Sequence, residues 1–267
     1  MKIYFRFGIK IFFLSLFINC FQTTYPADET ANTDVRALSL GQVKALSQEL
    51  LNPSFLSFIE QKQFGISVYN RFAMKELSTQ SLYGLIPNRF IDTGFKFSAY
   101  GYEDYQLLQG QISLAKKISP TFSIGTNLIY LNVNSVLDDK IRNYLMADVG
   151  VFWRINDSFD WAFTTENLLY TQNFCRTLFY TGINYHLSSI CHVLLETGAD
   201  FRNEFHISAG IEYEIAEQFA VRGGFRNNPQ TPSLGFAYTL NQWKVDAGFL
   251  LHPVLGVSSA ISINYFF

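Results

Sequence analysis

Histidines, acids and a serine set two or four residues apart are the side chains here whose types could do chemistry. His192 and Glu196 share one face of an alternating run, and His206 and Ser208 share the same face of the next. A serine nucleophile needs a histidine base within hydrogen-bond reach and a third group to orient that base. No GxSxG-like elbow surrounds Ser208, so a hydrolase is a minor alternative and a non-enzymatic role is expected. No His or Cys cluster has metal-ligand spacing, and neither a metal nor a cofactor is expected. Gly223-Gly224 reads as a bend or a close packing point inside a strand rather than a phosphate cradle. His252-Pro253 reads as loop chemistry.

The remaining polar residues on the same face are charged and nearly balanced in sign. Lys96, Lys117, Arg154, Arg176, Arg222, Arg226 and Lys244 stand beside Asp92, Asp148, Asp160, Glu166, Glu196, Glu212, Glu214 and Asp246. An ion-selective pore would carry a ring of one sign. Balanced charge instead predicts a lattice of ion pairs bracing a narrow interior. Its expected members are Arg176, Glu196, Glu212, Glu214, Arg222, Lys244 and Asp246. A net charge of -2 with no basic cluster argues against nucleic acid as a partner.

These residues need strands to position them, and the chain supplies strands almost throughout. From residue 64 about fourteen runs alternate apolar with polar, approximately 64–71, 76–86, 91–102, 105–118, 121–133, 142–155, 158–168, 174–186, 189–200, 204–215, 218–226, 233–240, 242–250 and 257–267. The last is the clearest. Val257, Ile261, Ile263, Tyr265 and Phe267 make an apolar face, while Ser258, Ala260, Ser262 and Asn264 make a small, mostly polar one. With 48% hydrophobic residues but a mean hydropathy of only +0.08, apolar and polar residues are interleaved rather than blocked. That fits a transmembrane β-barrel, with lipid outside and a polar lumen inside. A periplasmic sandwich or propeller is the alternative, and the scarcity of charge on the apolar face counts against it. The predicted fold is all-β: an antiparallel transmembrane barrel of about 14 strands with a short helical N-terminal plug in the lumen.

Every other turn is short and followed by an aromatic or large apolar residue, as at Ser119-Pro120-Thr121-Phe122, Asn156-Asp157-Ser158-Phe159 and Asn241-Gln242-Trp243. The intervening connections, such as 134–140 and 227–232, look longer. Phe122, Trp153, Phe159, Trp161, Phe219, Trp243 and Phe267 would then girdle the periplasmic rim. An even strand count places both termini on that side. The ending Ile263, Tyr265, Phe267 resembles the sorting signal of bacterial outer-membrane barrels. It implies the outer membrane of a Gram-negative bacterium, its lipid, and the barrel-assembly machinery as partners.

Residues 1–27 read as a secretory signal peptide, with Lys2, Arg6 and Lys10 before a short apolar core. Cys20 lacks the small residue that precedes a lipid-modified cysteine and leaves with that segment. Cys175 and Cys191 are out of register for a bridge and read as two small unpaired apolar residues. Residues 28–62 lack the period of two and form the plug segment, with a short helix predicted over 43–51 and stopped by Asn52-Pro53. Residues 63–267 form the barrel.

The run Arg36-Ala37-Leu38-Ser39-Leu40-Gly41, followed by Asn52-Pro53-Ser54-Phe55-Leu56, resembles the N-terminal signature of FadL-like outer-membrane barrels. The PorV-type barrels of type IX secretion belong to that superfamily. Asp246-Ala247-Gly248 and His252-Pro253-Val254-Leu255-Gly256 are similar too. The resemblance implies a fourteen-stranded barrel with a luminal N-terminal segment whose motif residues are Arg36, Gly41, Asn52 and Pro53. Short loops and a balanced lumen point to an accessory or scaffold subunit of an outer-membrane secretion or assembly complex, with protein partners. The alternative is a passive transporter of small hydrophobic compounds.

Overall fold

The computed structural model describes residues 33–48, 50–136, 141–169, 177–200 and 205–267. The signal-peptide segment with Cys20, and Cys175 and Arg176, lie outside these residues. Cys191 is a free thiol.

Fourteen antiparallel strands close into one ring. They are β1 (Gln63–Asn70), β2 (Ser78–Ile86), β3 (Asp92–Tyr102), β4 (Tyr105–Ser119), β5 (Phe122–Ser135), β6 (Arg142–Asn156) and β7 (Phe159–Glu166). Then come β8 (Leu178–Ser188), β9 (Cys191–Asp200), β10 (Phe205–Ala216), β11 (Phe219–Asn227), β12 (Gln230–Leu240), β13 (Trp243–His252) and β14 (Gly256–Phe266). The period of two makes this a barrel with unlike sides. On β14, Val257, Ile261 and Ile263 are exposed on the outer wall, while Ser258, Ala260, Ser262 and Asn264 are buried inside. The same parity holds on β10, where Ile207, Ile211, Tyr213 and Ile215 face out. The ring shuts between β1 and β14, from Gln63 opposite Phe266 to Asn70 opposite Ser259. Phe267 extends the seam by donating its N–H to Lys62 O at 3.0 Å. Among the described residues no edge strand is left bare.

Both ends of the barrel sequence and the two-residue turns 120–121, 157–158, 189–190, 217–218 and 241–242 lie at one end of the barrel. Asn241 takes a left-handed φ of 53°, which asparagine tolerates better than most residues in a tight hairpin. Aromatic pairs ring this end, among them Trp243 with Tyr265 at 4.8 Å and Phe159 with Tyr185 at 4.7 Å. Connections at the other end are more varied. The expected long loop 227–232 contracts to residues 228–229, because β12 already begins at Gln230 opposite Asn227. Residues 71–77 fold back over the long-loop mouth. There the Arg71 guanidinium lies 4.6 Å from the Tyr69 ring and 5.5 Å from that of Tyr100, and Phe72 N–H donates to Ser258 Oγ at 3.0 Å.

The helix expected over 43–51 is absent. The described residues there form turns, and the helical pieces flank them: α1 (Val35–Ser39), and a 3-10 helix at Pro53–Phe58. Asp34 caps α1, its Oδ1 accepting from Ala37 N–H at 2.9 Å. The apolar residues of 43–51 are spent against the wall rather than along one helical stripe.

Candidate functional site

The segment from Asp34 to Phe58 fills the lumen. Val35, Ala37, Leu38 and Leu40 are at most 1% exposed. Buried segments without regular structure must find partners for their backbone groups, and here inward-facing wall residues supply them. Ser233 Oγ donates to Ser39 O at 2.9 Å and accepts from Gly41 N–H at 3.1 Å. Glu196 accepts from Lys44 N–H at 2.7 Å and from Leu46 N–H at 3.3 Å. Leu50 O accepts from Gln111 Nε2 at 2.9 Å and from Asn127 Nδ2 at 3.0 Å, and Ser54 O from Ser123 Oγ at 2.9 Å.

Two side chains of the expected plug motif carry much of the attachment. Asn52 donates through Nδ2 to Ala45 O at 2.7 Å and Phe163 O at 3.3 Å, while its Oδ1 accepts from Ser54 N–H at 3.1 Å. Arg36 reaches Glu212 with Nε at 3.1 Å and Nη2 at 2.5 Å, both groups being buried. That two-pronged pair opens a chain of alternating charge. Glu212 also accepts from Arg222 Nε at 2.6 Å, Arg222 Nη1 donates to Asp246 at 2.6 Å, and Lys244 stands 3.8 Å from Asp246. A second pair ties Lys44 of the plug to Glu166 at the end of β7 at 2.7 Å, with Tyr180 Oη also donating to Glu166 at 3.1 Å. Asp34 completes the plug's internal bonding by accepting from Ser47 Oγ.

Glycines let the plug backbone touch the wall. A Cβ on Gly224 would land on Gly41 N and Leu40 C, and one on Gly150 would land on Asn52 Oδ1. Gly41 itself has a φ of +81°, where a side chain is strained. Pro53 occupies the space over Gly125. Gly223, one residue from the plug contact, faces outward, with nothing closer than 3.8 Å to its ideal Cβ.

The structure brings Glu212, Arg222, Lys244 and Asp246 together. Glu196 serves the plug's amides instead. Glu214 shares the inner face but stands exposed at the short-turn mouth and has no ion-pair partner among the described residues, a departure from the expected lattice. Sequence reasoning missed Lys44, Gln111 and Asn127, and it put Glu166 on the inner face without giving it a partner. Gln111 and Asn127 had the right parity but no charge to draw notice. The histidine pairings that the minor hydrolase alternative would need do not form among the described residues. His192 lies in the wall below, edge-on to His186 at 4.7 Å, and His186 contacts Asp160 at 2.6 Å. Ser208 Oγ and His206 Nε2 make no hydrogen bond.

The plug divides the lumen. Toward the short turns lies a cavity of about 670 Å3, walled by Phe55, Phe58, Phe152, His186, Glu212 and Glu214 among others. Toward the long loops the inner wall of β3–β6 is apolar, built from Tyr100, Leu107, Ile129, Leu131, Val133 and Met146.

No family model and no curated protein matches the chain. Solved barrels do. The CymD monoaromatic hydrocarbon channel superposes with a TM-score of 0.69 at 12% identity, over 89% of this chain and 98% of that one. The Ralstonia pickettii toluene transporter TbuX gives 0.69 at 9%, over 88% and 99%. A Pseudomonas aeruginosa FadL homologue gives 0.65 at 9%, over 87% and 98%. The first two are described as a channel and a transporter, and none of the three as an enzyme or a secretion subunit. They overturn the expectation of an accessory or scaffold barrel, and the PorV-type side of the resemblance gains no support from them. At the level of fold, the chain is similar to FadL-like barrels.

Proposed function

We propose that the protein is a passive outer-membrane channel for small hydrophobic compounds, with the plug as its movable element. One observation carries this reading: a segment built from α1, turns and a 3-10 helix blocks the lumen by hydrogen bonds, ion pairs and glycine contacts, between an apolar inner wall on one side and an open polar cavity on the other. Most of these attachments are single hydrogen bonds, individually weak and exchangeable for water, whereas the wall around them is a closed ladder. In this reading the apolar outer wall meets lipid, the short turns and both termini face the periplasm, and Ile263, Tyr265 and Phe267 guide the last strand to the assembly machinery. Solute collects on the long-loop side and leaves through the lower cavity when the plug shifts.

The test is deletion of residues 35–56 in purified protein reconstituted into lipid vesicles. Uptake of toluene is expected to rise at least tenfold over the intact chain. Unchanged uptake in a correctly folded variant would sink the channel reading.

A further inference from the structure

The connection between β1 and β2 runs from Asn70 to Ser78, which lie opposite each other in the ladder. A segment of that length at a barrel mouth is free to stand out in water, and Ala73, Met74, Lys75 and Glu76 are exposed. Its two ends do the opposite. Arg71 and Phe72 meet buried, inward-facing wall residues, and Leu77 packs on the apolar cluster that holds Tyr100 and Leu107.

The Arg71 guanidinium lies over both the Tyr69 and the Tyr100 rings and donates through Nη1 to Thr79 Oγ1 at 3.0 Å. A cation is drawn to an aromatic face, and more strongly where water is excluded. Phe72 fixes the other flank. Its N–H donates to Ser258 Oγ at 3.0 Å, and its ring stands edge-on to His252 at 5.6 Å. Arg71 thus ties the segment to β1, β2 and β3, and Phe72 ties it to β13 and β14, which are neighbours round the closed ring.

Between these anchors the backbone bends against its preference. Phe72 and Ala73 both have a φ of 55°, the left-handed region in which Cβ crowds the following carbonyl. Glycine would take such a bend freely, and neither position has one. Strained backbone of this kind persists where surrounding contacts over-determine it, and it gathers at clamps and switches. The segment's own backbone bonds run from Met74 N–H to Arg71 O and from Leu77 N–H to Met74 O, so neither ties it to the wall.

We propose that Arg71–Leu77 is an outer gate, a strap latched across the β13–β3 arc of the long-loop mouth by Arg71 and sprung by the left-handed pair Phe72–Ala73. The strap stands in series with the plug. It rests on the channel reading for its purpose, though not for its motion. Release of the latch bares the apolar wall at Tyr100 and Leu107.

The experiment places a reporter thiol under the strap, Leu107→Cys, in the full-length protein in detergent with the native cysteines replaced by serine. Leu107 is 0% exposed and lies opposite Tyr100, so reaction of the new thiol with N-ethylmaleimide follows the lifted population. Arg71→Gln is expected to speed that reaction at least threefold. Ala73→Gly relieves the bend without touching the latch and should slow it at least threefold. Denaturant unfolding of both variants should match the parent, because the strap lies outside the ladder. A rate that moves with neither substitution, or in the same direction with both, would overturn the gate. So would a change in rate matched by an equal change in stability, the mark of a cap that only braces the barrel. The thiol reads the strap whether or not solute crosses the plug. Unchanged toluene uptake after deletion of residues 35–56 would therefore sink the channel and leave the strap's motion standing.

Discussion

Removing the Arg36 side chain leaves Glu212 still held by Arg222 at 2.6 Å, whereas removing the Glu212 carboxylate leaves the buried Arg36 guanidinium without its ion-pair partner and Arg222 with Asp246 alone. Breaking a buried pair by deleting one partner typically costs about 3–5 kcal/mol. Glu212→Ala is therefore expected to destabilise the protein on that scale in denaturant unfolding from vesicles. Arg36→Ala should cost clearly less and show itself mainly as faster solute uptake. The sequence makes the wall half of this chain of charge legible, because a strand's parity tells which side Glu212, Arg222, Lys244 and Asp246 share. It does not reveal Arg36 as their partner, since that contact joins residues 176 apart and depends on how deep the plug sits. Parity gives a face and not a height, which is why Glu214 reads as a member of the lattice and stands at the mouth instead.

The same distinction between face and depth governs the elements. Adjacent glycines on β11 offer a matched pair of substitutions. Gly224→Ala puts a methyl group where the plug backbone runs, so the plug must lift, and uptake and protease sensitivity at residues 34–58 should both rise. Gly223→Ala meets only Ile211 and Leu234 at 3.8 and 3.9 Å and should change neither. All fourteen strands are legible because each carries its own period of two, bounded by turn residues. The plug is not, because its conformation is imposed by the wall. Val43, Leu46, Leu50 and Leu51 are spaced as on a helix, yet the carboxylate of Glu196 and the amides of Gln111 and Asn127 satisfy the backbone that a helix would have satisfied. Tertiary bonds override local preference where no water competes.

For the molecule as a whole, the decisive contrast is between its two surfaces. Ile211 is 48% exposed on the outer wall of β10, with Glu212 beside it pointing in. Ile211→Lys is expected to cost about 2–4 kcal/mol in bilayer-referenced unfolding, as for a cation on the lipid face near mid-membrane. Glu214→Lys, at the open mouth of the lumen, should be far milder. Equal tolerance of the two would invert the assignment of inside and outside. The pairing of β1 with β14 has a bearing on time as well as on shape. Gln63 must find Phe266, nearly the whole barrel sequence later, and contacts so distant form slowly. The plug precedes β1 and touches strands on both sides of the ring, from β3 to β6 and from β11 to β14. The plug offers those strands a common surface to gather on before the ring closes. The segment that fills the lumen is thus also placed to act as the mandrel on which the ring is wound. Deleting residues 35–56 should accordingly slow refolding into vesicles, followed by the band shift of the closed barrel, in addition to opening the pore.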